Sequence, residues 1–205
     1  MPEGSSAIDM KNCILLLLAA WPHIGAGLPG QSEYNLSKGY TVTIHGTLSI
    51  HDWVETVGQV SGDMMAGRHT GGGLDVNSVR ISMIVRSIKG DMGAVMDKKT
   101  YKALKADTDP EISFRLDAPV LVMPVGVKEK PVALVGHLTL AGVTRPATLW
   151  INYFAIAGDG IRFEGEQTVK MTDFGVKPPS ALFGTLKAGP DITIFFKTVF
   201  TLQQK

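Results

Sequence analysis

Residues 131–152 read P-V-A-L-V-G-H-L-T-L-A-G-V-T-R-P-A-T-L-W-I-N. Leu134, Leu138 and Leu140 alternate with Val135, His137 and Thr139, the period of two of a strand with one buried face. Past Ala141-Gly142 the period resumes, with Leu149 and Ile151 set against Trp150 and Asn152. Gly142 can supply the positive φ of a hairpin turn. Pro146 lacks a backbone donor and is expected where the returning strand starts. The stretch predicts an antiparallel hairpin.

Outward from the hairpin the same period recurs. Val42 and Ile44 against Thr41, Thr43 and His45 predict a first strand over 40–46, after a polar lead-in from Gln31 to Gly39. A corner at Leu48–Asp52 leads to a second strand, Trp53–Ala66. Val79, Ile81, Met83 and Val85 share one face of a third, Leu74–Ile88. Ile112, Phe114 and Leu116 mark a fourth over Glu111–Val120, and the hairpin supplies the fifth and sixth. Gly158-Asp159-Gly160 turns into the seventh, Ile161–Lys170. Met171–Pro190 reads as a long loop before the last strand, Asp191–Leu202, whose face carries Ile192, Ile194, Phe196 and Phe200. One segment breaks the period. Tyr101 and Leu104 on one side, with Lys98, Lys102 and Lys105 on another, predict a helix over Asp97–Ala106. Asp97 is its expected N-cap, and Asp109-Pro110 bars its continuation. Tyr101 and Leu104 would close one end of the fold.

Eight antiparallel strands can bury their apolar faces by closing into a barrel or by stacking as a sandwich. The 205 residues suffice for one domain, and a net charge of +1 gives no electrostatic case for nucleic acid. The apolar run Cys13–Trp21, preceded by Lys11 and followed by Gly25-Ala26-Gly27, has the form of a secretory signal peptide. It is shorter than the about 20 apolar residues of a transmembrane helix. The expected organisation is therefore a signal over residues 1–27, starting at Met1 or Met10, and a mature domain over 28–205. Cys13 is the one cysteine. With the signal removed, thiolate catalysis, disulfides and cysteine metal sites are not expected.

Several stretches resemble the YceI-like family. L-T-L-A-G-V-T-R-P, residues 138–146, resembles that family's G-x-L-T-I-x-G-V-T-K-P. N-S-V-R-I-S-M-I-V-R-S-I, residues 77–88, resembles S-S-V-x-V-x-I-x-x-x-S-I. A-D-T-D-P-E-I-S-F-R-L, from residue 106, resembles x-K-Y-P-x-I-T-F, and M-T-D-F-G-V, from residue 171, resembles R-x-D-F-G-I. The resemblance runs from about Tyr40 to Phe200. The family's R-D-x-H-L at the start of the helix is here Ala94-Val95-Met96-Asp97-Lys98, and G-T-L-S-I-H-D-W replaces a commoner apolar segment. The resemblance implies an all-β fold: an eight-stranded antiparallel lipocalin-like barrel with one helix inserted between strands 3 and 4. It also implies a periplasmic or secreted protein that binds an isoprenoid-type lipid, a polyprenyl or quinone tail, without catalysis or cofactor. The alternatives are an envelope stress or interaction module with a side-chain-filled barrel, and an enzyme using His51 and Asp52 at the barrel mouth.

In such a barrel the apolar faces would line a lumen. The candidates are Ile44 and Gly46; Ile81, Met83 and Val85; Phe114 and Leu116; Gly136 and Leu138; Ile151; Phe163 and Gly165; Ile194 and Phe196. Gly46, Gly136 and Gly165 fall in register with these faces, marking bends or places where something else approaches. His51 and Arg145 are the candidate head-group residues. His51-Asp52-Trp53 has a blander reading, a corner with Trp53 packed at the barrel end, because adjacent strand residues point to opposite faces. His45, His51, His69 and His137 show no ligand spacing, so no metal is expected. The lysine stripe reads first as a solvated face, with transient docking to a membrane surface as the alternative. A homodimer is the other partner considered.

Overall fold

The structure, a computed structural model, describes residues 30–49, 51–125, 130–155, 160–178, 180–181 and 186–203. The expected signal over 1–27, and Gly158-Asp159 of the expected turn, lie outside these residues. The elements in chain order are β1 (Gln31–Leu36), β2 (Thr41–Leu48), β3 (Asp52–Val57), β4 (Val60–Arg68), β5 (Leu74–Ile84), β6 (Ile88–Gly90), α1 (Ala94–Ala103), β7 (Glu111–Leu116), β8 (Val120–Val122), β9 (Val132–Leu140), β10 (Val143–Ala155), β11 (Ile161–Lys170), β12 (Ser180–Ala181) and β13 (Leu186–Leu202). Among the described residues, every pairing between two of these strands is antiparallel. Eight strands close a ring in the order β1-β4-β5-β7-β9-β10-β11-β13, and β13 pairs with β1 to complete it. The expected barrel is present, and α1 lies between its third and fourth strands.

Two parts of the ring differ from the sequence reading. The first staves are not residues 40–46 and 53–66. The segment taken as a lead-in forms β1, whose Tyr34 is buried, while β2, β3 and β6 make a flap on the edge of β13. Only Tyr34 and Leu36 carry the apolar parity of β1, too few to show a period. The expected strand 53–66 breaks at Gly58-Gln59, where β3 leaves for the flap and β4 joins the ring. The Tyr40 hydroxyl holds the fork: it donates to Gly58 O at 3.0 Å and accepts from Val60 N at 3.0 Å. Likewise, the expected strand 74–88 stops at Ile84, and a 3-10 turn over Val85–Ser87 redirects the chain into β6. Within the expected final loop, Met171–Phe174 is a second 3-10 turn and β13 starts at Leu186.

The helix begins three residues earlier than expected, after Gly93 at φ 81, and ends at Ala103. Asp97 is therefore not its cap. Its buried carboxylate reaches back to β6 and accepts from Gly90 N at 3.0 Å and Lys89 Nζ at 3.1 Å. Those bonds, that to Gly90 foremost, hold its pKa below the usual carboxylate value. The helix closes in a Schellman arrangement: Ala106 N bonds Tyr101 O, Lys105 N bonds Lys102 O, and Lys105 sits at φ 56. Lys105 thus leaves the stripe of Lys98 and Lys102, and its Nζ donates to Ala141 O at 3.1 Å. Tyr101 and Leu104 pack on the apolar cluster at one end of the barrel, with Ile112, Leu140 and Met171, and Tyr101 Oη donates to Ile88 O at 2.8 Å. The other end is filled by a second cluster around Tyr34, Met64, Leu74, Tyr153 and Phe200.

The β9–β10 hairpin has the predicted register, Val143 opposite Leu140. Both loop residues have positive φ, Ala141 at 50 and Gly142 at 78, a type I′ turn. Pro146 lies inside β10 rather than at its start, opposite His137. It is tolerated because β11 pairs with β10 only from Trp150 onward, so the missing donor faces no neighbour. The turn docks under the helix exit, where a Cβ on Gly142 would meet Asp109 Oδ1 at 2.6 Å. Gly142→Ala is expected to lower stability by about 1–2 kcal/mol, read as a shift in the urea midpoint at constant m-value. A loss below about 0.5 kcal/mol, the ordinary surface range, contradicts the docked turn.

Candidate functional site

Between the two apolar clusters the barrel is not filled. A cavity of about 80 Å³ lies mid-lumen, several times the space one water needs. Its wall carries Ile81, Met83, Phe114, Leu138, Ile151, Phe163, Ile194 and Phe196 of the expected lumen residues. Val42, Val60, Val79, Leu134, Leu149 and Phe200 add to it, and Gln167 and Thr198 are its polar side chains. A second cavity of about 50 Å³ lies toward α1, with Ile44, Ile112, Leu140 and Leu104 in its wall. Met83 and Ile194 line both cavities and stand between them.

The other expected lumen residues are placed elsewhere. Val85 is wholly buried in the 3-10 turn, and Leu116 belongs to the cluster at the far end. The three glycines do not leave open space. Each is covered by an aromatic ring from the neighbouring strand: Gly46 by Trp53, Gly136 by Phe114 and Gly165 by Phe196. A Cβ would meet Phe114 Cζ at 2.6 Å on Gly136 and Phe196 Cζ at 2.7 Å on Gly165. Backbone also crowds them, Arg115 O over Gly136 and Trp150 O over Gly165. Strand and ring approach so closely that only glycine fits. The Phe114 and Phe196 rings therefore rest on the wall, and these rings, not the glycines, face the cavity.

Neither expected head-group residue touches either cavity. His51 is exposed on the β2–β3 turn, its Nδ1 2.6 Å from the backbone oxygen of Asp52 and not paired with the Asp52 carboxylate. Trp53 packs beside Gly46 and donates from Nε1 to Thr47 O at 3.3 Å. Arg145 is exposed and donates from Nε to Asp173 O at 3.2 Å, across the gap where β10 and β11 have parted. Among the described residues no group of three or more His, Cys, Asp or Glu converges as a metal site.

Comparison with known proteins places this architecture. The YceI-like domain family matches residues 39–200. The chain belongs to the YceI-like family. No curated protein matches it. Among solved structures it is similar to BcnA of Burkholderia cenocepacia at 16% identity and a TM-score of 0.59, covering 78% of this chain and 95% of that one. It is similar to a polyisoprenoid binding domain from Saccharophagus degradans implicated in plant cell wall breakdown, at 12% identity and a TM-score of 0.59, covering 83% and 98%. The YceI protein of Campylobacter jejuni follows at 14% identity and a TM-score of 0.55, covering 74% and 85%. At these identities the likeness is one of fold.

Within this YceI-like barrel two polar residues were overlooked in the sequence, Glu55 and Gln167. Both lie on the inward parity of their strands, Glu55 between Trp53 and Val57, Gln167 between Gly165 and Val169. A polar residue at an apolar parity was the signal available. Glu55 is buried in the wall of the second cavity and accepts from Thr100 Oγ1 at 2.6 Å. Burial pushes its carboxyl pKa up, the Thr100 bond pulls it back, and the Asp97 and Asp91 charges push it up again. Asp97 is itself paired with Lys89. Between the ordinary value of 4.5 and its raised value, native Glu55 holds a proton that the unfolded chain has lost. Stability therefore falls as pH rises through that window. Glu55→Gln removes this cost. Its stability relative to the native sequence is expected to climb from near parity below pH 4.5 to a plateau gain at higher pH, measured by urea unfolding across pH. Asp97 acts in the opposite sense and is common to both chains, and its repulsion of the Glu55 carboxylate is lost in the variant, in the direction of the same gain. A difference that stays constant with pH contradicts the buried, proton-holding Glu55.

Proposed function

We propose that this chain binds, stores or carries an isoprenoid-type lipid, a polyprenyl or quinone tail, in the barrel lumen without covalent chemistry. The observation that carries the reading is the mid-barrel cavity, closed around by strands and walled almost wholly by aliphatic and aromatic side chains. A void of that kind stays dry and accepts apolar molecules. Each buried CH₂ contributes about 0.8 kcal/mol, so one five-carbon isoprene unit contributes about 4 kcal/mol before ordering costs. Membership of the YceI-like family and the polyisoprenoid binding of the Saccharophagus relative support the same ligand class. Met83 and Ile194 are the side chains that must turn aside for a chain to continue from the first cavity into the second. Side chains in cores hop between rotamers, and methionine does so with three rotatable bonds.

The signal-like run at Cys13–Trp21 supports action in the periplasm or outside the cell. Lys98 and Lys102, exposed on α1, are suited to transient contact with an anionic membrane surface.

One experiment reads both parts. Native mass spectrometry of the exported protein is expected to give a chain that has lost its first ~27 residues together with a bound lipid at one equivalent. Leu138→Trp, which fills the cavity at a cost of about 1–3 kcal/mol, is expected to fold and lose the lipid. A chain that begins at Met1 or Met10 contradicts export with processing. A folded native sequence that carries no lipid and takes none up contradicts the lumen reading and favours a barrel filled by its own side chains.

A further inference from the structure

The wall of the larger cavity has one chemical asymmetry. Pairing of β10 with β11 ends at Trp150 opposite Glu166. Beyond it, among the described residues, β10 pairs with β9 alone and β11 with β13 alone. Gln167 is the first residue of β11 past this parting. It points inward, beside Leu149 and Ile194 in the cavity wall. Its Nε2 donates to the backbone oxygen of Thr168 at 2.7 Å. That bond fixes which way the amide faces, because the reverse orientation would set Oε1 against a carbonyl oxygen. Oε1 is thereby left buried and, among the described residues, without a donor.

Buried amide oxygens are seldom left so, since the desolvation of the group is then uncompensated. Thr198, the other polar side chain of the wall, uses its hydroxyl proton on Phe163 O at 3.3 Å. Oε1 is thus the acceptor of the wall without a donor, and the proton that Nε2 does not give to Thr168 O sits on the same amide, where it cannot serve Oε1. No cation lines the wall. An ether, an ester or a quinone carbonyl brings no proton to Oε1. An anionic head group would meet a carbonyl oxygen and no counter-charge. A hydroxyl or an amide N–H is what the site lacks.

We propose that Gln167 Oε1 is the polar anchor of the lumen, and that the ligand is a long apolar chain bearing a hydrogen-bond donor, a hydroxyl or an N–H, seated where β10 and β11 part. The chain then lies along Leu134, Ile151 and Phe163 of the same cavity. This rests on the lumen reading above and names the chemistry of its ligand.

The test uses two probes of equal chain, farnesol and farnesyl methyl ether, titrated into the lipid-free protein. The native sequence is expected to bind the alcohol about ten-fold more tightly than the ether, the size of a hydrogen bond to an otherwise unpaired buried group. Gln167→Met keeps the volume and removes the acceptor. It is expected to bind the two probes within about two-fold and to hold the ether as well as the native sequence does. Equal binding of both probes by the native sequence overturns the anchor while leaving the lumen reading intact. A preference for the alcohol that survives in Gln167→Met also overturns it, because the acceptor then lies elsewhere. Binding of neither probe overturns the lumen reading and the anchor with it. The comparison on the native sequence decides alone if Gln167→Met does not fold.

Discussion

A sheet can hide both of its edges only by pairing its first strand with its last. Here that closure is short. Tyr34, Asn35 and Leu36 meet Leu202, Thr201 and Phe200, extended by Ser37 N to Val199 O at 2.8 Å and Gln203 N to Glu33 O at 2.9 Å. The rest of the fold accommodates it. β13 is long enough for one of its edges to serve two partners, β1 near its end and β2 near its start. The flap of β2, β3 and β6 is what results where the ring does not need them. The Tyr40 hydroxyl sits at the fork because two backbone groups there, Gly58 O and Val60 N, have left any common ladder.

Closure of eight strands leaves an interior that side chains can either fill or line. In this barrel the end around Tyr34 and Met64 is filled, and the middle and the part toward α1 are lined. The glycine and aromatic pairs explain part of that. Gly136 and Gly165 let the Phe114 and Phe196 rings lie on the neighbouring strand, so two large side chains cover wall and leave the centre open. This is the use of glycine that stabilises curved sheets, a flat ring covering the backbone that a missing side chain exposes. The same arrangement at Gly46 places Trp53 at the wall of the second cavity, beside Glu55 and Thr100. The polar side chains of the two walls are Glu55 and Thr100 near the helix, and Gln167 and Thr198 in the larger cavity.

How far the sequence could be read follows from what each signal measures. Period two in residues 131–152 identified the hairpin because, Arg145 apart, the residues on its inward parity are apolar or glycine and its turn carries Gly142. β1 was invisible because only Tyr34 and Leu36 mark its inward parity. The helix was placed late because its first turn, Ala94 to Asp97, is not amphipathic, and Gly93 rather than Asp97 caps it. Strand breaks at Gly58 and at Val85 follow from tertiary pairing that no local window contains. Of the site, the aliphatic and aromatic lining was legible by parity. His51 and Arg145 suit a head group by residue type alone, not by position. One lies on an exposed turn and the other reaches Asp173 across the gap. Glu55 and Gln167 share the inward parity of Val57 and Phe163, but a polar residue at such a position carries no apolar period to mark it. The space above each glycine could not be read either, since a ring from another strand decides it.

The central claim is that this lumen binds a chain by removing its apolar surface from water. The most direct measurement is the heat-capacity change of binding, from calorimetric titrations of farnesol and the longer geranylgeraniol at several temperatures. Burial of apolar surface makes that change negative in proportion to the area removed. The account predicts a negative value for both alcohols, larger in magnitude for the longer chain. A value near zero, or one that does not grow with chain length, would mean that the ligand lies on the surface of the barrel and contradict the account.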